Sequence, residues 1–94
     1  MKKLRVLIID DERNARAEVK KLVADYGELE VVGEAQNADD AKEQIEQKHP
    51  DLLFLDIQMP EKSGFDLLES LSKVPHVIFT TAYEQYAVKA FEVS

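Results

Sequence analysis

Short apolar runs alternate with longer amphipathic stretches along this chain. Four runs, centred on residues 6–9, 31–32, 52–55 and 77–79, are brief and made mainly of Val, Ile and Leu. Runs that are apolar without strict alternation are typical of strands buried on both faces. The pattern therefore predicts four strands of one parallel sheet.

The stretch after the first run predicts an amphipathic helix. Its inner face carries apolar residues three or four positions apart: Ala15, Val19, Leu22, Val23 and Tyr26. Its polar side carries charged residues: Arg16, Glu18, Lys20 and Lys21. Gly27 follows this pattern and is the predicted C-cap of the helix.

Three more helices are predicted between and after the remaining strands. The second covers residues 38–48 with Asn37 as its N-cap, and the third covers residues 64–71 with Ser63 as its N-cap. The fourth begins near Tyr83, after the fourth strand. The order β-α-β-α-β-α-β-α predicts an α/β domain with a parallel sheet and right-handed crossovers.

Composition and charge exclude several classes of function. The chain has 94 residues, a formal charge of -7 and no cysteine, so disulfides, thiol catalysis and Cys-based zinc sites are excluded. Net acidity argues against nucleic-acid or anionic-membrane binding by this segment, and it suits hard cations. No stretch is long enough to span a membrane, and no signal peptide is evident, so the expected compartment is the cytoplasm.

Acids or hydroxyls follow three of the four predicted strands. Asp10 and Asp11 follow the first strand, Asp56 follows the third, and Thr80 and Thr81 close the fourth. Ligands of open α/β sheets bind outside the carboxyl ends of the strands, so these side chains should share one site. Clustered carboxylates repel one another unless a cation such as Mg²⁺ joins them. A carboxylate beside such an ion can attack phosphorus and form an aspartyl-phosphate.

Three segments, "VLIIDDE", "DLLFLDIQMPEKSGFDLL" and "VIFTTAY", resemble the receiver domain of response regulators in two-component signalling. The segment "FTTAYEQYAVKAFEVS" further resembles receivers that precede a LytTR-type DNA-binding domain. The resemblance implies a flavodoxin-like, doubly wound parallel sheet, a fold with strand order 2-1-3-4-5. It also implies that residues 1–94 form a receiver domain that is incomplete at its C-terminal end. The fifth strand, with the lysine that contacts the phosphoryl group, and the fifth helix are not in this sequence.

The resemblance assigns the chemistry to individual residues. Asp56 would be the phosphoacceptor. Asp11 would bind Mg²⁺ directly, and Asp10 would bind it through water. Asp56 and the backbone carbonyl of Gln58 would complete the protein's share of the metal ligands.

The resemblance also implies a signalling switch and its partners. A sensor histidine kinase would supply the phosphoryl group, and Thr81 would be the switch hydroxyl. Gln58 and Tyr83 would tune the lifetime of the phosphoryl group. The domain would assist its own phosphorylation and dephosphorylation without being a turnover enzyme, and DNA would be contacted only through an output domain. An unpaired fourth strand and the fourth helix would form a face suited to self-association.

Three alternatives use the same fold or the same acids. A magnesium-dependent phosphatase of the haloacid dehalogenase class needs a second aspartate two residues after the nucleophile, where this chain has Gln58. A flavin- or nucleotide-binding domain needs glycine near the phosphate, but the first strand-to-helix turn, "DDERNAR", has none, and its acids would repel phosphate. An interaction domain without chemistry would not respond to a magnesium titration.

Overall fold

The computed structural model describes residues 2–80, and Thr81, Tyr83 and the predicted fourth helix lie outside them. Helices and strands alternate along this part of the chain as predicted. They are β1 Leu4–Ile9, α1 Arg13–Ala24, β2 Leu29–Ala35, α2 Ala38–Lys48, β3 Leu52–Leu55, α3 Gly64–Ser70 and β4 His76–Phe79. No helix in this range is long and apolar enough to cross a membrane.

The four strands form one parallel sheet in the order β2-β1-β3-β4. This order confirms the flavodoxin-like arrangement for the strands that the structure describes. Strand β1 is central, and its last four residues are at most 1% exposed, as expected for a strand buried on both faces. Ile9 pairs with Leu55, so β1 and β3 end at the same level. The residues that follow these two strands are therefore brought side by side.

Helices cover both faces of the sheet. On one face, Leu7, Ile9, Leu53 and Leu55 pack in a cluster that includes apolar residues of α2 and α3. On the other face, the side chains of β1 and β3 pack against Val19 of α1. Within residues 2–80, β4 forms one edge of the sheet, and its Ile78 is 47% exposed. Self-association through this edge stays a prediction.

Helix α1 ends earlier and buries less than its sequence pattern predicts. The C-cap is Asp25, in a right-handed conformation, so the prediction of Gly27 is wrong. Backbone amides at the helix end donate to the carbonyls of Leu22 and Val23, which closes the helix without a left-handed glycine. Val23 is buried, but Leu22 is 63% exposed and Tyr26 is 57% exposed. The predicted inner face is therefore wrong for these two residues, because α1 contacts the sheet along a narrower stripe.

The predicted N-caps of α2 and α3 are confirmed. The Asn37 side chain accepts a hydrogen bond from the Asp40 amide at 2.7 Å. Ser63 Oγ accepts from the Asp66 amide at 3.1 Å, and the Asp66 carboxylate accepts from the Ser63 amide at 2.8 Å, which forms a capping box. These bonds fix where α2 and α3 begin, close to the carboxyl edge of the sheet.

Candidate functional site

Three carboxylates from two neighbouring strands meet at the carboxyl edge of the sheet. Asp10 and Asp11 follow β1, and Asp56 follows β3. One oxygen of each carboxylate lies within 4.8 Å of the other two. The structure therefore brings together the three acids that the sequence placed at one end of the sheet, while the role of each stays a prediction.

Backbone hydrogen bonds hold two of these acids in place. Asp10 is 7% exposed, and its Oδ1 accepts from the Glu12 amide at 2.9 Å. The Asp56 amide donates to the Ile9 carbonyl at 3.0 Å, which continues the pairing of β1 with β3 beyond the strands. Asp56 Oδ1 accepts from the Gln58 amide at 3.2 Å. Each carboxylate is thus oriented by the loop that follows it.

Burial and mutual repulsion raise the pKa of two of these carboxyls. Burial, followed by the charge of Asp10, raises the pKa of Asp56 to about 6, and the hydrogen bond from the Gln58 amide opposes this shift. Burial also raises the pKa of Asp10, with a smaller contribution from the charge of Asp11 and opposition from the Glu12 amide. Repelling carboxylates gain stability when a cation joins them. The oxygen donors and their close spacing fit a hard divalent ion such as Mg²⁺.

The remaining predicted site residues lie around this cluster or beyond residue 80. Gln58 is exposed and touches the site through its backbone amide, so a metal-ligating role for its carbonyl stays a prediction. The Thr80 amide donates to the last carbonyl of β3 at 3.0 Å, which brings the carboxyl end of β4 level with that of β3. Thr81 and Tyr83 lie outside the described residues.

A further residue at the site, Arg16, was not identified from the sequence. Its Nη1 donates to the carbonyl oxygen of Asp10 at 2.8 Å, and its Nε lies 3.2 Å from Glu34 Oε1. The helical pattern assigned Arg16 to the polar side of α1, and it gives no signal for a partner on β2. Only the fold brings the end of β2 against the first turns of α1.

The loop after Asp56 folds back so that the first residue of α3 touches the Asp56–Ile57 backbone. The Gly64 amide donates to the Ile57 carbonyl at 2.7 Å. A Cβ at Gly64 would lie 2.8 Å from the Asp56 carbonyl oxygen and 3.0 Å from Ile57 Cα. Both are backbone atoms, which cannot rotate away. Glycine is therefore required here for close approach.

We expect Gly64→Ala to destabilise the protein by about 1–3 kcal/mol, because the added methyl overpacks the backbone beneath the site. The measurement is the midpoint of urea unfolding. Gly27→Ala is the matched control, since a Cβ at Gly27 has no atom within 4 Å. Equal midpoints for the two variants would contradict the requirement for glycine at position 64.

Comparisons with known proteins agree on one family. The response regulator receiver domain family matches residues 6–94 of this chain. An uncharacterized response regulatory protein of Vibrio cholerae is 52% identical over 91 residues, which cover 95% of this chain and 38% of that protein. The sensory transduction protein LytT of Bacillus cereus is 46% identical over 93 residues, covering 96% of this chain and 38% of LytT. The chain therefore spans well under half the length of these curated relatives.

A solved structure shares the architecture. The REC domain of AraT, a response regulator from Geobacillus stearothermophilus, is 31% identical to this chain, with a TM-score of 0.81. The match covers 97% of this chain and 75% of that domain. The arrangement of β1 to β4 and α1 to α3 is thus shared with that domain.

Proposed function

Because this chain belongs to the response regulator receiver domain family, we propose that it accepts a phosphoryl group on Asp56. Receiver domains are signalling modules that histidine kinases phosphorylate. The observation that carries the proposal is the meeting of Asp56 with Asp10 and Asp11, with oxygens within 4.8 Å of one another. A lone acid at a strand end would be an ordinary loop residue, whereas three acids from two strands form a site.

Asp56 would be the nucleophile of this reaction. Its Oδ1 accepts a hydrogen bond from the Gln58 amide, which leaves Oδ2 to attack phosphorus. A bond forms between Oδ2 and phosphorus while the bond from phosphorus to the phosphohistidine nitrogen breaks. A pKa of about 6 leaves most of the Asp56 carboxyl ionised at neutral pH. The reaction therefore needs no separate base.

Asp10, Asp11, Asp56 and the backbone carbonyl of Gln58 would hold Mg²⁺. When bound, this ion neutralises charge on the transferring phosphoryl group. Asp10 would offer the ion a carboxylate oxygen in a fixed position, since its side chain is buried and accepts a hydrogen bond from the Glu12 amide. Asp11 is exposed and supplies its oxygen from the solvent side. A bound cation would also offset the burial and the charge of Asp10 that together raise the pKa of Asp56.

The output side of the proposal rests on the family resemblance. Thr81 would sense the phosphoryl group as the switch hydroxyl, and Gln58 and Tyr83 would set its lifetime. The domain would act in the cytoplasm as a switch that assists its own phosphorylation and dephosphorylation, and it would not turn over substrate. The named relative LytT is a sensory transduction protein and is longer than this chain. The natural output would be transcription, through a DNA-binding domain joined to the receiver.

We expect the purified protein to gain the mass of one phosphoryl group after incubation with acetyl phosphate and Mg²⁺. The Asp56→Asn variant should gain none, because an amide nitrogen and oxygen lack the nucleophilic charge. Intact-mass spectrometry with and without EDTA measures this directly. Continuous phosphate release without a stable phosphorylated species would favour the phosphatase alternative. Unchanged mass in every sample would favour an interaction domain.

A further inference from the structure

The backbone of Asp10 is held on both sides by other elements. The Asp10 amide donates to the Ala35 carbonyl of β2 at 3.1 Å. The Asp10 carbonyl oxygen accepts from Arg16 Nη1 of α1 at 2.8 Å. Because a peptide unit is planar, fixing its oxygen also fixes the direction in which the chain leaves toward Asp11. Arg16 therefore constrains the backbone from which the Asp10 and Asp11 carboxylates project.

Arg16 is itself held by a second charged residue. Its Nε lies 3.2 Å from Glu34 Oε1, and the Arg16 side chain is only 15% exposed. The other carboxylate oxygen of Glu34 lies 3.3 Å from Lys20 Nζ. The Gln44 side-chain amide donates to the Glu34 backbone carbonyl at 2.7 Å. Glu34 is thus fixed from α1 and α2 together, and it leaves the Arg16 guanidinium little freedom.

The guanidinium is suited to this double contact. It presents several N–H donors in a rigid plane, so Nη1 and Nε reach two acceptors at once. A lysine at the same position carries the same charge on one nitrogen and lacks the planar fork. The arrangement therefore depends on the shape of arginine as well as on its charge.

We propose that Arg16, held by Glu34, is a positioning residue that aligns Asp10 and Asp11 for Mg²⁺. This inference rests on the proposed metal-binding role of those two acids. Mg²⁺ demands near-ideal octahedral geometry, whereas Ca²⁺ accepts a larger and more flexible set of oxygen ligands. Misalignment of Asp10 and Asp11 should therefore weaken Mg²⁺ binding more than Ca²⁺ binding.

The test compares Mg²⁺ and Ca²⁺ affinities by calorimetry in the wild type and in variants. Arg16→Lys should weaken Mg²⁺ binding by about ten-fold, the effect typical of residues that orient metal ligands. Ca²⁺ binding should weaken by less than about three-fold because its coordination is flexible. Glu34→Gln should also weaken Mg²⁺ binding more than Ca²⁺ binding. The double variant should be no weaker than the stronger single variant, because both act through one contact.

A matched control separates positioning from general stability. Val23→Ala removes buried methyl groups from the same helix, so it lowers stability without touching Asp10. It should leave the ratio of Mg²⁺ to Ca²⁺ affinity unchanged. The inference is overturned if Arg16→Lys leaves both affinities as in the wild type, or if it weakens both ions equally. A wild-type protein that binds neither ion would overturn the proposed metal site itself, which is a distinct result.

Discussion

Without a divalent ion, the protein is expected to lose stability as the pH rises from about 4 to about 7, and Asp56→Asn should remove much of this loss. The pKa of Asp56 is raised from its ordinary value of 3.8 to about 6 in the fold. Across this window the folded protein keeps a proton that the unfolded chain has released. A raised carboxyl pKa therefore contributes stability at low pH that disappears as the pH rises through about 6. The physical causes are burial of Asp56 and the charge of Asp10.

Asparagine keeps the size of Asp56 and removes its charge. The variant should be more stable than the wild type at pH 7.5 by about 1 kcal/mol, because solvent screens part of the interaction at this partly exposed site. Urea unfolding at pH 4.5, 6 and 7.5 in EDTA measures the free energy of unfolding. Asp51→Asn is the control, because Asp51 is exposed and its carboxylate accepts a hydrogen bond from the Arg5 amide at 2.8 Å. It should not stabilise the protein at pH 7.5. If the free energy of unfolding of the wild type and of Asp56→Asn changed in parallel with pH, the raised pKa of Asp56 would be contradicted.

Mg²⁺ is expected to stabilise the protein at neutral pH, and Asp11→Asn should weaken its binding by at least about ten-fold. An ion that binds only the folded state raises stability by mass action, about 2.7 kcal/mol at a hundred times its dissociation constant. Asp11 contributes an oxygen to the acidic cluster, so its substitution would remove one of the proposed ligands. A thermal-shift titration with MgCl₂ at constant ionic strength measures the effect.

Glu12→Gln is the matched control for Asp11→Asn. The two residues are adjacent and exposed, and each substitution removes one negative charge. Glu12 is the N-cap residue of α1, makes no side-chain capping bond and is not a member of the cluster. Its variant should bind Mg²⁺ almost as well as the wild type. If MgCl₂ raised the melting temperature of both variants equally, net charge, and not a ligand at Asp11, would govern the effect of the ion.

The strands and the convergence of the acids were predictable because they depend on local and repetitive properties. A short apolar run without alternation gave β1 and β3, and the ends of parallel strands meet at one edge whatever the details of packing. Asp10, Asp11 and Asp56 therefore met as expected. The strand order came from the family resemblance. The family is confirmed, and the order is confirmed for the four strands within residues 2–80.

The details that were not predictable depend on contacts between distant parts of the chain. The spacing of α1 predicted a buried Leu22 and Tyr26, but both are exposed, and the helix packs through Val19 and Val23 instead. Arg16 lies on the polar side of the α1 pattern, as an ordinary surface residue would. Only the position of β2 gives it Glu34 as a partner. The raised pKa of Asp56 arises from burial and from Asp10, which is remote in sequence.

Locating the phosphoryl group within the protein tests the phosphoacceptor role of Asp56 directly. Trypsin cleavage after Lys48 and Lys62 gives a peptide of residues 49–62, which contains Asp51, Asp56 and Glu61. Borohydride reduction of the acyl phosphate marks the modified residue permanently, and tandem mass spectrometry then identifies it. We expect one mark, on Asp56, that depends on Mg²⁺ during phosphorylation. A mark on any other acid, or labelling that is indifferent to Mg²⁺, would contradict this expectation.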